Sequence, residues 1–285
     1  MSFDKLIEAI QKKRTVAVMG LDPKLEYIPD CIKESRTAEE ALFEFNKILI
    51  DCSADLIAAV KPQSAFYEIY GHKGIDALER TIQYAKQADL YVILDAKRGD
   101  IGSTAEAYAE AHLGSGSAGS DCITVNPYLG YDGVKPFIDV AHREDKALFI
   151  LVKTSNPSSA EFQDLLIGEK PLYQLVSEKV EEWGAADIGE YGFSRCGAVI
   201  GATYPRQLAE LREAMPHTFF LIPGYGAQGG TSSDAANAFR NGRGAVVNSS
   251  RGLIYAYLNK GNPLDFKDYT RAAVMEMNEA FAGLF

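Results

Sequence analysis

The stretch Val16-Ala17-Val18-Met19-Gly20-Leu21-Asp22-Pro23-Lys24 decides the fold. Val16–Leu21 is apolar apart from one glycine and reads as a buried strand, which Asp22-Pro23-Lys24 ends. A doubly wound open sheet normally follows its first strand with a glycine-rich turn, and here that place holds an aspartate, a proline and a lysine. Runs of the same kind recur at Leu56–Val60, Tyr91–Leu94, Cys122–Val125, Ala147–Val152, Ala198–Ile200, Phe219–Ile222 and Ala245–Val247, making eight candidate strands. Helical stripes lie between them, such as Ala38, Ala41, Leu42, Phe45, Ile48 and Leu49, then Ile75, Leu78, Ile82 and Ala85. Strands alternating with helices imply a parallel sheet with crossover connections, and eight such units predict an α/β chain folded as a closed (β/α)8 TIM barrel.

No Pro/Ser-rich linker divides the 285 residues, so the expectation is one domain over 1–285. A helix over 3–13 is expected to lie across one barrel end, and Val274, Met277, Phe281 and Leu284 mark an amphipathic C-terminal helix over about 264–282. Lys153–Lys170 is long for a βα loop and carries a capping-box pattern at Ser158 and Glu161, predicting an excursion with its own short helix.

Composition narrows the function. With 47% apolar and 24% charged residues the chain can bury a full core. Its 29 basic against 39 acidic residues give a formal charge of −10, and no basic block exceeds Lys12-Lys13-Arg14. A nucleic-acid groove or a polybasic membrane surface is therefore disfavoured, and an anionic ligand would need local basic residues. The longest aliphatic or Phe run, Ala147–Val152, is far short of a membrane span, and the start, Met1-Ser2-Phe3-Asp4-Lys5, has no apolar signal region. The expectation is a soluble, cytosolic protein. The cysteines, Cys31, Cys52, Cys122 and Cys196, are at least 21 positions apart, predicting buried reduced thiols, and the histidines at 72, 112, 142 and 217 are too scattered for a metal site.

In a barrel, chemistry collects at the C-terminal strand ends. The third such end reads Asp95-Ala96-Lys97-Arg98-Gly99-Asp100. Asp95 and Lys97, two apart on a strand, point to one face. A lysine beside carboxylates stays protonated, which suits a proton donor better than a Schiff base. Lys61, at the matching end of strand 2, is placed to bridge the two aspartates; the bland alternative is a structural ion-pair ring. Ser103 and Glu106 read as a cap for the next helix, setting Asp100 and Thr104 about its N-terminus. A second constellation joins Pro223-Gly224-Tyr225-Gly226-Ala227-Gln228-Gly229-Gly230 to Asn248-Ser249-Ser250-Arg251-Gly252. Its glycines let backbone amides approach an oxyanion and Arg251 supplies charge, in the loops where such barrels commonly bind phosphate.

At these residues the sequence resembles the orotidine 5′-phosphate decarboxylase family, in its longer bacterial subgroup. Asp95xLys97xxAsp100 followed by Ile101-Gly102-Ser103-Thr104 matches the family's signature, supported by Leu21-Asp22-Pro23, Val60-Lys61-Pro62-Gln63 and the loops after strands 7 and 8. The resemblance implies decarboxylation of orotidine 5′-phosphate to uridine 5′-phosphate in pyrimidine biosynthesis. It implies a network of Lys61, Asp95, Lys97 and Asp100, with Asp100 and Thr104 reaching the neighbouring subunit's site in a homodimer. Asp22 with Lys61 would bind ribose, Ser155 would contact the pyrimidine with Thr154 adjacent, and Gln228, Arg251 and Gly252 would hold the phosphate. Asn126 is a further candidate with no assigned role. No metal, Schiff base or organic cofactor is called for. The rivals are a magnesium-dependent sugar-phosphate decarboxylase or lyase of the same barrel group, with Asp95 and Asp100 as ligands, and a non-catalytic phosphate-binding barrel.

Overall fold

The computed structural model describes residues 2–116, 119–226, 229–258, 260 and 262–285. Each predicted strand is present: β1 (Ala17–Leu21), β2 (Ala59–Pro62), β3 (Tyr91–Arg98), β4 (Cys122–Val125), β5 (Ala147–Lys153), β6 (Cys196–Ile200), β7 (Phe220–Ile222) and β8 (Ala245–Ser249). They pair in parallel as a closed barrel in the order β1-β8-β7-β6-β5-β4-β3-β2. The β1–β8 seam, with Ala17 beside Val247 and Val18 beside Asn248, removes the open-sheet alternative, because such a sheet leaves those edges unpaired. The fold is a (β/α)8 TIM barrel.

The helices follow from the stripes. After α1 (Ser2–Lys13), the crossovers are α2 (Ala38–Asp51), α3 (Gly71–Gln87), α4 (Gly102–Leu113), α5 (Tyr131–Arg143), α6 (Leu172–Gly184), α7 (Pro205–Ala214) and α8 (Ser232–Ala236); a short α9 (Arg251–Ile254) and α10 (Phe266–Ala280) follow β8. In α2, Thr37 and Glu40 form a capping box and Ala41, Leu42, Phe45 and Leu49 are buried against the barrel. The stripe of α3 is turned from the expected one: Ile75 is exposed, and Gly74, Ala77, Leu78, Ile82 and Ala85 face inward. Gly74 tolerates no side chain, since a Cβ there would lie 1.9 Å from the Tyr67 carbonyl oxygen. Phe3 of α1 is fully buried with its ring 5.0 Å from Phe149 and 5.1 Å from Phe219, closing the N-terminal end of the barrel. Burial of Leu6, Ile7 and Ile10 beside it contributes roughly 1.5–3 kcal/mol per side chain. At the other end of the chain, Val274 and Met277 of α10 are buried, as is Phe281 just beyond it.

Three local expectations are corrected. Ser103 does not cap α4: the helix begins at Gly102, in a left-handed conformation (φ +53°), after an extended Ile101 without a side-chain cap. Ser158 and Glu161 form no capping box; the short helix of the excursion, Ala160–Gln163, starts after Ser159, and a two-stranded hairpin of Leu166–Ile167 and Lys170–Pro171 follows. Cys122 and Cys196 are buried, but Cys52, just past the end of α2, is half-buried and Cys31, in the short helix Asp30–Lys33, is exposed, because neither lies in a barrel strand as Cys122 and Cys196 do. No helix among the described residues is long and apolar enough to cross a membrane.

Candidate active site

The C-terminal ends of the strands enclose a cavity of about 820 Å³. Its chemistry is set by a break in register. β3 pairs with β4 at Ile93/Cys122 and Leu94/Ile123, then not again until Arg98/Val125, so β3 spends two residues more than its partner. That bulge turns Asp95 and Lys97 into the cavity and leaves Lys97 left-handed, with φ +46°. Its amide donates to Thr124 Oγ1 (2.9 Å), which replaces the lost ladder bond.

Asp95 is the hub. Lys61 Nζ donates to its Oδ2 at 2.7 Å, and Lys97 Nζ (2.6 Å) and Thr124 Oγ1 (3.0 Å) donate to its Oδ1. Burial pushes the Asp95 carboxyl up, but the two ammonium groups overcome it and hold the group well below the usual carboxylate range. Burial likewise opposes the charge on Lys61, yet Asp95 and Asp22 outweigh it and raise the lysine above its ordinary value. The expected bridge from Lys61 to Asp100 is therefore corrected: Lys61 stands between Asp95 and Asp22. Asp100 lies past the bulge, half-buried, accepting the Ile101 amide (2.8 Å). Lys97, unlike Lys61, keeps 47% of its side chain exposed and is open to a ligand.

Around this hub the cavity brings together Asp22, Thr154, Ser155, Asn156 and Arg251. Thr154 is occupied locally: its amide donates to Gln163 Oε1 (2.9 Å), and its hydroxyl accepts from Gln163 Nε2 (2.8 Å) and donates to Asn156 Oδ1 (2.6 Å). Ser155 takes no part in that exchange. Lys153 leaves the cavity altogether, because β5 has one residue more than β6 between Leu151/Val199 and Lys153/Ile200. It is fully buried under the excursion, donating to Asp164 Oδ1 at 2.6 Å. Gly252 follows Arg251 at the start of α9 but does not line the cavity, and Thr104 is exposed on α4 outside it. Gln228 lies outside the described residues. Asn126 is turned to its own loop, where Oδ1 accepts the Tyr128 amide (3.0 Å).

A cavity lined by an alternating lysine–aspartate–lysine array and an arginine suits a small anionic ligand on which negative charge develops. The family model for orotidine 5′-phosphate decarboxylase / HUMPS matches residues 18–262. The chain belongs to that family. It is 45% identical to the orotidine 5′-phosphate decarboxylase of Rhodopirellula baltica, covering 98% of each chain, and 43% identical to that of Petrotoga mobilis, covering 98% of this chain and 97% of the other. Among solved structures, Leishmania donovani OMP decarboxylase superposes with a TM-score of 0.79 at 33% identity, covering 99% of this chain and 98% of that one.

Several site residues of this family member escape a reading of its sequence. The Tyr255 hydroxyl accepts the Lys24 amide (2.6 Å) and donates to the Asp22 carbonyl (3.0 Å), tying the loop after β1 to the segment after Arg251. Gly20 keeps the floor open to Ser250, whose Oγ would lie 1.9 Å from a Cβ at that position. Asp22 Oδ1 and Asn248 Oδ1 are buried acceptors without a partner among the described residues, in residues lining the same cavity. Such atoms are normally satisfied by a ligand or water. The usable signal was the polar Thr124 and Asn248 within otherwise apolar strand runs.

Proposed function

We propose that the chain decarboxylates orotidine 5′-phosphate to uridine 5′-phosphate and carbon dioxide, in the cytosol, as a step of pyrimidine nucleotide synthesis. The observation that carries this reading is the Lys61–Asp95–Lys97 array, with Lys97 open to the cavity. Loss of carbon dioxide from C6 leaves a vinyl-type carbanion with no carbonyl placed to delocalise it, so stabilisation must come from fixed charge. Lys97 faces the developing charge and then delivers its proton to C6. Asp95, held by both lysines, fixes the ammonium in place and stays ionised. Occupied at both oxygens by ammonium groups, it is a poor ligand for a divalent cation.

Binding energy away from C6 orients the ring. Arg251 lines the cavity and grips the phosphate, with Gln228 and Gly252 in the roles the family resemblance implies. Asp22, whose Oδ1 has no partner among the described residues, takes the ribose hydroxyls with Lys61, and Ser155 contacts the pyrimidine. Asp100 and Thr104 serve a neighbouring subunit's site in a homodimer. The surface beside them supports this, for Ile101, Tyr108, Tyr128, Leu129 and Tyr131 are all exposed there, and a second copy would cover them.

The test is the ultraviolet absorbance change of orotidine 5′-phosphate with EDTA-treated protein. Conversion to uridine 5′-phosphate supports a metal-independent decarboxylase. Activity only on a sugar phosphate, restored by magnesium, moves the assignment to the metal-dependent relatives, and silence in both assays leaves a phosphate-binding barrel.

A further inference from the structure

Thr124 is buried in β4 at 1% exposure, and its single hydroxyl has two partners in the charged array. Because it accepts the Lys97 amide, its own proton is left for Asp95 Oδ1, so both hydrogen-bond directions are fixed. The amide it accepts belongs to the residue that the bulge has driven into the left-handed region, where a side-chain-bearing residue is disfavoured and persists only when its surroundings hold it. No strand partner does so, for β3 and β4 are unpaired between Leu94 and Arg98. Arg98 secures the far side of the bulge by donating to Glu68 Oε1 (2.6 Å), which leaves the near side to Thr124.

We infer that Thr124 is a positioning residue for the proton-donating lysine: its hydroxyl holds the Lys97 main chain and the Asp95 carboxylate at once, and so sets where the ammonium stands. This rests on the role given to Lys97 above. The hydroxyl touches neither the proton in flight nor the phosphate grip. Its removal lowers turnover without weakening the hold on a nucleotide, since displacement of a reacting group by about 1 Å costs on the order of 100-fold in rate.

The experiment compares the parent with Thr124→Val, which keeps the shape and removes both hydrogen bonds, and Thr124→Ser, which keeps them. Turnover of orotidine 5′-phosphate, affinity for uridine 5′-phosphate by calorimetry and melting temperature are measured for each. The expected result is kcat lower by about 10- to 100-fold in Thr124→Val, product affinity within about threefold of the parent, and recovery to within a few-fold in Thr124→Ser. Parent-like kcat in Thr124→Val overturns the inference. So does an equal fall in kcat and product affinity, or a fall that serine does not restore, since both mark a merely structural role. If Thr124→Val does not fold, Thr124→Ala, which removes the same bonds without crowding, is judged by the same criteria. A parent without decarboxylase activity overturns the underlying reading of the site, and this inference with it, a result distinct from an active parent with an equally active valine variant.

Discussion

Replacing Lys97 with alanine tests the reading most directly, and its size is calculable. The ammonium stands 2.6 Å from Asp95 Oδ1 and keeps 47% of its side chain exposed, so on the proposed role it is within reach of a carbanion in the cavity. At about 4 Å and an effective dielectric near 20, one unit charge is worth about 4 kcal/mol, or roughly 10³ in rate. The proton it supplies is worth a further 10²–10⁴, typical of general acid catalysis. The expected loss in kcat is therefore on the order of 10⁵ or more, read from the absorbance of orotidine 5′-phosphate. Affinity for uridine 5′-phosphate changes little, because Asp95 remains paired with Lys61 and the phosphate grip is untouched. Lys97→Arg separates the two contributions: it keeps the positive charge but yields no proton near neutral pH, and regains only the electrostatic part. Turnover within tenfold of the parent in Lys97→Ala would refute the assignment, as would recovery of full turnover by arginine.

Arg251→Ala should weaken uridine 5′-phosphate by about 10- to 100-fold, in line with about 1.5–3 kcal/mol for a hydrogen bond to a charged group, and leave the dephosphorylated nucleoside unaffected; equal affinities for the phosphate form in variant and parent remove Arg251 from the phosphate site. If Asp100 completes the partner's site, Lys97→Ala and Asp100→Ala, each inactive alone, regain about a quarter of parental activity when unfolded and refolded together at equal ratio, since one site in four is then whole. No recovery with dimers present places Asp100 elsewhere. Stability should carry a pH signature from His112, which burial and Arg98 hold down to about 4 against an ordinary 6.5. The unfolded chain binds a proton there that the native chain refuses, so stability falls by up to about 1.4 kcal/mol per unit as pH drops from 6.5 towards 4. His112→Gln should flatten the decline in melting temperature across that window, and an unchanged slope contradicts it.

The barrel was readable because burial on both faces makes each strand of a parallel sheet a short apolar run, and crossover helices need an apolar stripe. The charged cluster was readable for a related reason: Lys61, Asp95 and Lys97 interrupt such runs at their ends, where polar groups need a purpose. What alternation cannot show is one or two added residues. The bulge in β3 hides the left-handed Lys97 and its dependence on Thr124, and the extra residue in β5 sends Lys153 out of the cavity although it stands in the same kind of position as Lys61. Caps are elusive for another reason. Ser103 and Ser158 have suitable spacing to a glutamate, but capping requires an extended backbone at one particular residue, and the helices begin elsewhere. Tyr255 was invisible because its partners, Lys24 and Asp22, lie 231 and 233 positions away.

The burial of Lys153 bears on how this scaffold tolerates alteration. Its bond to Asp164, with Gln163 on Thr154, fastens the excursion at its root and leaves the apex, Gly168 and Glu169, exposed beyond the hairpin. Anything inserted at that apex hangs from a segment already secured before the chain turns outward, so the geometry at Ser155 is insulated from it. The tip is thus a natural attachment point for a reporter or a fused module, with the ammonium of Lys153 serving as the strain relief.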